Sequence, residues 1–253
     1  MNVIILAAGE GSRFFKSGGK QFKQLTPIDG VPIIERIVRQ ALKFPSVSQV
    51  LVVLGENPEC NQKIANSLSN YDVKYCINNV SRKDNNLISL VTAFESLLSS
   101  GSLKNPTLVV ECDCIFDEEA FRSMILDLKS DEVRFSNIGR SNSSQKGGFI
   151  FVERHSVIVG SAPAKQLVIQ DVQPVANPGT YIYKMFGITS FGVDCINTFL
   201  KLFNSKPQKS INRYFHHLIM DHMDAFSCST TSLPDTTFSF NTLEELSDGI
   251  TFK

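Results

Sequence analysis

Apolar residues along the chain fall into short continuous runs that alternate with stretches of helical spacing. Residues 2–7 form an apolar, β-branched run closed by glycine, the pattern of a buried strand. "VPIIERIVRQALKF" carries apolar residues at 31, 33, 34, 37, 38, 41 and 42, which is helical spacing with Pro32 in the first turn. A strand at 49–55, a helix at 58–69, a strand at 73–77 and a helix at 85–98 follow. "TLVVECDCIF" (107–116) reads as the fourth large strand, with a helix through "DEEAFRSMILDL" behind it. This strand–helix alternation predicts an α/β chain with a doubly wound, mostly parallel sheet.

The pattern changes in the second half. "GGFIFVERHSVIVGSAPAKQLVIQDV" reads as short antiparallel strands with polar turns, and "YIYKMFGITSFG" as a further strand. Helices are expected near 193–205 and 209–223. There is no internal repeat, and "SNIGRSNSSQKGG" is a polar loop rather than a linker. One domain over 1–253 follows, with a core over 1–130 and a strand-rich portion over 131–253 beside it.

Composition narrows the partners. The 253 residues hold 25 basic and 25 acidic side chains, which argues against nucleic acid, since polyanion binders carry a basic excess. No apolar run reaches the ~18 residues of a membrane span, and the start lacks the basic region of an export signal. The cysteines at 60, 76, 112, 114, 195 and 228 are scattered, as expected of reduced thiols in a cytoplasmic protein. "CDC" without a second pair is a poor zinc signal.

A local basic loop in a neutral chain suggests a small anion, and the loop after the first strand is such a loop. "LAAGEGSRFFKSGGKQFKQL" holds Gly9 and Gly11, which allow positive φ and close approach to a ligand, and Arg13, which forks onto phosphate oxygens. In a doubly wound sheet this loop lies at the carboxyl ends of the strands, where ligands bind. The dinucleotide fingerprint fails because Phe14 stands at its third glycine, and no P-loop spacing is present. Two lysines compete as the partner of Arg13: Lys23, ten residues on, and Lys20 in "GGKQF".

The run L-A-A-G-x-G-x-R, continued by "FKQLTPIDGVPIIERIV", resembles the signature of nucleotidyltransferases of the glycosyltransferase-A-like superfamily, with Phe22 at the usual proline. The resemblance implies a Rossmann-like mixed sheet and transfer of a nucleoside monophosphate to a phosphorylated acceptor, with release of pyrophosphate. It makes Arg13 and Lys23 catalytic, and Leu6, Ala7, Ala8, Gly9, Gly11, Ser12 and Cys112 part of the nucleotide site. "NNLISL" is similar to a segment of the CTP:phosphocholine cytidylyltransferase branch and adds Asn85, Asn86 and Ser89, although Asp84 or Asn85 would also serve as a helix cap. Molybdopterin-type members share the "KQL" beginning but carry G-D-M/Q-P where this chain has "ECDC". Isoprenoid cytidylyltransferases share the loop but carry an H-D-x-x-R-P motif that is missing here. Sugar-1-phosphate nucleotidyltransferases are the rival class, and a non-catalytic nucleotide sensor is a reading of another kind.

The family expects Mg2+ on an aspartate at the end of the fourth core strand, and Asp113, with Glu111 beside it, occupies that place. In a strand these two carboxylates share a face, with Cys112 and Cys114 on the other. A hard cation would relieve their burial, as would salt bridges to nearby lysines. The second family carboxylate comes from a motif near the C-terminus. Here "FSFNTLEEL" puts Ser239 and neutral Asn241 at the matching positions, with Asp235 as a substitute carboxylate. The small phosphorylated or phosphonate acceptor falls to the second half, where Tyr181, Tyr183 and Phe186 are aromatic candidates. His216, His217 and His222 read as surface or core-edge residues, and a homodimer is left open.

Overall fold

Four of the apolar runs pair side by side and in parallel, and they end level. The computed structural model describes residues 1–83, 86–140, 148–153, 157–163, 180–205 and 213–251. The parallel core is β1 (Asn2–Leu6) flanked by β4 (Gln49–Leu54) and β6 (Thr107–Glu111), with β5 (Lys74–Ile77) outside β4. Leu6 stands opposite both Val53 and Glu111, so the carboxyl ends of the three strands form one rim. Between β1 and β4, β2 (Pro27–Ile28) and β3 (Val31–Pro32) make a two-residue ribbon.

All five residues of β1 are buried because each face meets its own core. Val3, Ile5 and Ala7 pack with α2 (Ile33–Leu42) and α3 (Pro58–Ser67); Ile4, Leu6 and Ala8 pack with α4 (Leu87–Ser99). This two-sided burial explains the continuous apolar run. In α2, Ile33, Ile34, Ile37, Val38 and Ala41 are the buried stripe. The short α1 (Ser12–Lys16) lies within the first loop, and α5 (Glu118–Ile125) follows β6 with Asp117 capping Ala120 N.

The second half extends the same sheet. β8 (Glu132–Arg140), β9 (Gly148–Glu153), β10 (Val157–Pro163) and β11 (Thr180–Phe191) are antiparallel neighbours, and β11 runs antiparallel to β6 with Ile188 opposite Val110. The sheet is therefore mixed, a parallel core bearing an antiparallel wing, with β12 (Ser227–Ser232) parallel to β8. Helices α6 (Val193–Ser205), α7 (Phe215–Met220) and α8 (Leu243–Thr251) complete the chain. Among the described residues no helix is long and apolar enough to cross a membrane.

Three boundaries differ from the sequence reading. Pro32 precedes α2 as its cap residue, because Val31 and Pro32 pair with β2. Of the expected helix over 209–223, the described residues show α-helix at Phe215–Met220, while 209–212 lie outside the described residues. The fourth strand ends at Glu111. After Cys112 N bonds Leu6 O the chain leaves the sheet, and β7 (Cys114–Ile115) pairs instead with β13 (Phe238–Ser239).

Gly55, just after β4, lets the first loop lie against it: a Cβ there would sit 2.4 Å from Ala8 O and 2.8 Å from Ser81 Oγ. A backbone oxygen cannot swing aside. Gly55→Ala is expected to cost about 1–3 kcal/mol, read as a lowered urea midpoint at unchanged m-value.

Candidate functional site

At the rim of β1 and β6 lies a cavity of about 510 Å3. Its near wall is the first loop. Ala7 N still bonds Val53 O, the last rung of the ladder; beyond it the chain turns away. Gly11 then takes the left-handed conformation (φ 67°, ψ 31°) as the cap residue of α1, and no side chain caps that helix. Among the described residues, the backbone N–H groups from Ala8 to Phe14 bond no protein acceptor. These seven successive N–H groups, the last three in the first turn of α1, are left available to an anion. The Arg13 side chain stands exposed beside them with no ion pair among the described residues.

The opposite wall carries the acids. Lys23 opens a single 3-10 turn, Lys23–Leu25, and crosses the cavity floor. Its Nζ donates to Asp113 Oδ2 at 2.7 Å and to Asn241 Oδ1 at 3.2 Å. The pair is mostly enclosed, with 12% and 17% of the two side chains exposed. The Phe240 ring lies 5.3 Å below the ammonium and meets Phe14 edge-on. Lys20 is exposed and off the cavity wall, so geometry favours Lys23.

Glu111 is held differently. Its Oε1 accepts from Asn86 Nδ2 at 2.9 Å. Burial first, and then the Asp113 carboxylate, push its pKa up to about 7, against the opposing pull of Lys23, Lys184 and Asn86. Lys184, on β11, is itself drawn down by burial and back up by Glu111 and Asp113. Both carboxylates line the cavity, as strand alternation predicts, and Cys112 and Cys114 both pack into the core with Leu108 and Val110; Cys112 also reaches the cavity wall, and Cys114 lies beneath Gly187.

Asn86 has a structural task. It sits at φ 103° ahead of α4, and while Nδ2 holds Glu111, Oδ1 accepts from Phe215 N at 2.9 Å. It therefore ties β6 to α7 and to Tyr214, which forms the far wall. Burial and the charge of Glu111 raise the Tyr214 pKa, while Arg13 lowers it and Asp113 raises it further. Its ring stacks on His216 at 5.2 Å.

Of the residues picked out in the sequence, Leu6, Ala8, Gly9, Gly11, Ser12, Arg13, Lys23, Asn86, Ser89, Glu111, Cys112, Asp113 and Asn241 line this cavity. Ala7 is off its wall, with its carbonyl turned to Gln24. Asn85 lies outside the described residues. Asp235 is exposed and away from the cavity, whereas Asn241 lines it. Phe186 is in the core, Tyr183 packs at the edge of one, and Tyr181 belongs to β11. His216 is buried rather than at the surface, and burial lowers its pKa to about 3. All six cysteines are free. Sequence reasoning missed Gln24, Ser81, Lys184 and Tyr214. Only Lys184 left a signal, as a lone lysine inside an apolar strand.

The donor set suits a hard cation. The Lys23 ammonium is a stand-in that already draws Asp113 Oδ2 and Asn241 Oδ1 to one point. Mg2+ commonly uses one or two carboxylates together with substrate phosphates and water. Among the described residues no three His, Cys, Asp or Glu side chains cluster as a metal site, so such an ion would depend on substrate oxygens.

The MobA-like NTP transferase domain matches residues 3–145, more than half of the chain. The chain belongs to this family. The match places this MobA-like chain among nucleotidyltransferases, and relatives of several specificities resemble it. The 2-C-methyl-D-erythritol 4-phosphate cytidylyltransferase of Chlamydia abortus is 31% identical over 83 residues, 33% of this chain and 34% of that protein. The bifunctional protein GlmU of Bacillus subtilis is 38% identical over 71 residues, 28% of this chain and 15% of that protein. These alignments span about a third or less of the curated relatives. Among solved structures, the CTP:phosphocholine cytidylyltransferase of Streptococcus pneumoniae superposes with a TM-score of 0.72 at 15% identity, covering 99% of this chain and 98% of that one. The inositol-1-phosphate CTP transferase of T. maritima gives 0.68 at 14% identity, covering 99% and 94%. At such identities the likeness is one of fold.

The raised Glu111 pKa has a consequence for the MobA-like domain. The folded chain keeps a proton on Glu111 that the unfolded chain releases lower down, so stability falls as pH rises from the ordinary carboxylate range toward 7. In metal-free buffer, Glu111→Gln is expected to gain roughly 2 kcal/mol at pH 8 and nothing below pH 4, as measured by denaturant unfolding across pH.

Proposed function

We propose that the chain transfers a nucleoside monophosphate, CMP from CTP, to a small phosphorylated or phosphonate acceptor and releases pyrophosphate. The reading is carried by one arrangement: free amides of the loop and Arg13 on one side of the cavity, and Lys23 between Asp113 and Asn241 on the other. A triphosphate threaded between them meets donors along its length. The resemblance of "NNLISL" to the phosphocholine branch, together with the cytidylyltransferase relatives, supports CTP.

An acceptor phosphate is ionised near neutral pH and needs no general base, so catalysis reduces to alignment and charge neutralisation. Lys23 and Arg13 hold the departing β- and γ-phosphates, and the amides of Gly11 and Ser12 bond their oxygens. Asp113, with Asn241 and Glu111, would hold Mg2+, which supplies Lewis-acid neutralisation at the α-phosphate. Tyr214 and the antiparallel wing bound the acceptor side. The free thiols suit a reducing, cytoplasmic setting.

The test is pyrophosphate release from each of the four NTPs with Mg2+ and a panel of phosphorylated acceptors. CTP is expected to be the productive nucleotide. UTP or dTTP with a sugar 1-phosphate would favour the sugar-nucleotide class, which the GlmU match supports. Lys23→Ala is expected to lose at least about a hundredfold in kcat, while Lys20→Ala stays within a few-fold. The reverse ranking would reassign the signature lysine.

A further inference from the structure

We propose that Gln24 is a positioning residue that shapes the anion nest of the first loop; this deepens the nucleotidyl-transfer reading and rests on it. Gln24 follows Lys23 in the same turn, yet the two side chains work on different partners. Lys23 reaches across to Asp113, while the Gln24 side chain bonds the loop itself. Gln24 is 4% exposed, and its Nε2 donates to both Ala7 O at 2.8 Å and Gly9 O at 2.5 Å.

Those two carbonyls belong to the stretch where β1 has left its neighbours, so no strand ladder orients them. Peptide planarity links each to the next residue: fixing Ala7 O and Gly9 O toward Gln24 turns the N–H groups of Ala8 and Glu10 the opposite way. Ala8 and Glu10 line this cavity and also the one across the loop beside Asn57 and Asn61, and neither N–H has a protein acceptor among the described residues. The side-chain amide thus sets the direction of two donors in the nest.

The orientation of this amide is forced. Rotated by 180°, its oxygen would face two carbonyl oxygens. As placed, Gln24 Oε1 is buried with no donor among the described residues. Here one end goes unbonded and both hydrogens are committed to the loop. Chemistry beyond Nε2 is unsuited to the task, since a carboxylate has no hydrogen to give and a methionine of similar volume has none either.

The experiment is calorimetric binding of CTP, and separately of inorganic tripolyphosphate, to the full chain and to Gln24→Met and Gln24→Glu, with thermal unfolding alongside. Gln24→Met is expected to bind both anions about 30-fold more weakly while still unfolding cooperatively. Gln24→Glu is expected to be as weak at pH 8 and to recover several-fold, relative to the unsubstituted chain, at pH 6, where a protonated carboxyl donates one bond. A purely structural glutamine would lower the unfolding temperature and leave the affinity of the folded fraction, and its pH profile, unchanged. Gln24→Met binding within threefold of the unsubstituted chain overturns the proposal. If Gln24→Met does not fold, a Gln24→Glu deficit that is absent or independent of pH overturns it. Failure of the unsubstituted chain to bind any NTP overturns the nucleotidyl-transfer reading itself, a different result from binding that Gln24 does not influence.

Discussion

The contact between Lys23 and Asp113 joins positions 90 residues apart at 2.7 Å. Everything at the site is arranged around it. It joins the first loop to the turn after β6, and Asn241, from the segment before α8, completes the junction. Removing either charge would leave the other enclosed and uncompensated, an expensive state in a site this sheltered. The ion pair also marks where charge is expected to change hands: a polyanion entering the cavity offers Lys23 another partner and leaves Asp113 oxygen lone pairs for a cation.

Around that pair the fold keeps its polar groups under tension. Glu111 is half-buried against Asn86, with Lys23 and Lys184 as counter-charges. Asn86 takes a left-handed backbone conformation, uncommon outside glycine, to reach Glu111 and Phe215 at once. Such strain persists where surrounding contacts fix it. It links the parallel core, which forms the nest, to the C-terminal helices that bring Tyr214 to the far wall.

The sequence revealed the parallel half and the nest most clearly, because each rests on local pattern. A run such as Val3–Ala7 is apolar without alternation since both its faces are covered, and "GEG" breaks the strand into a turn. The rest depended on contacts between distant residues. That β6 stops at Glu111 follows from the first loop turning away beyond Leu6, whose carbonyl takes Cys112 N as the last partner there, and from Phe238 and Ser239 arriving to pair with Cys114 and Ile115; no local signal encodes either event. Gln24 looked like filler between Lys23 and Leu25 because its partners are backbone carbonyls. Tyr214 was hidden in a run read as helix. Lys23 lines the cavity and Lys20 does not, a matter of reach that spacing alone does not give.

The central claim is that a triphosphate lies along the amides from Ala8 to Phe14 and faces Lys23. Backbone amide NMR during titration with CTP and Mg2+ tests it most directly. The account predicts that the largest shifts fall on residues 8–14, with Asp113 and Asn241 next. Largest shifts at Asn57–Asn61, across the loop in the neighbouring cavity, with residues 8–14 unmoved, would contradict it.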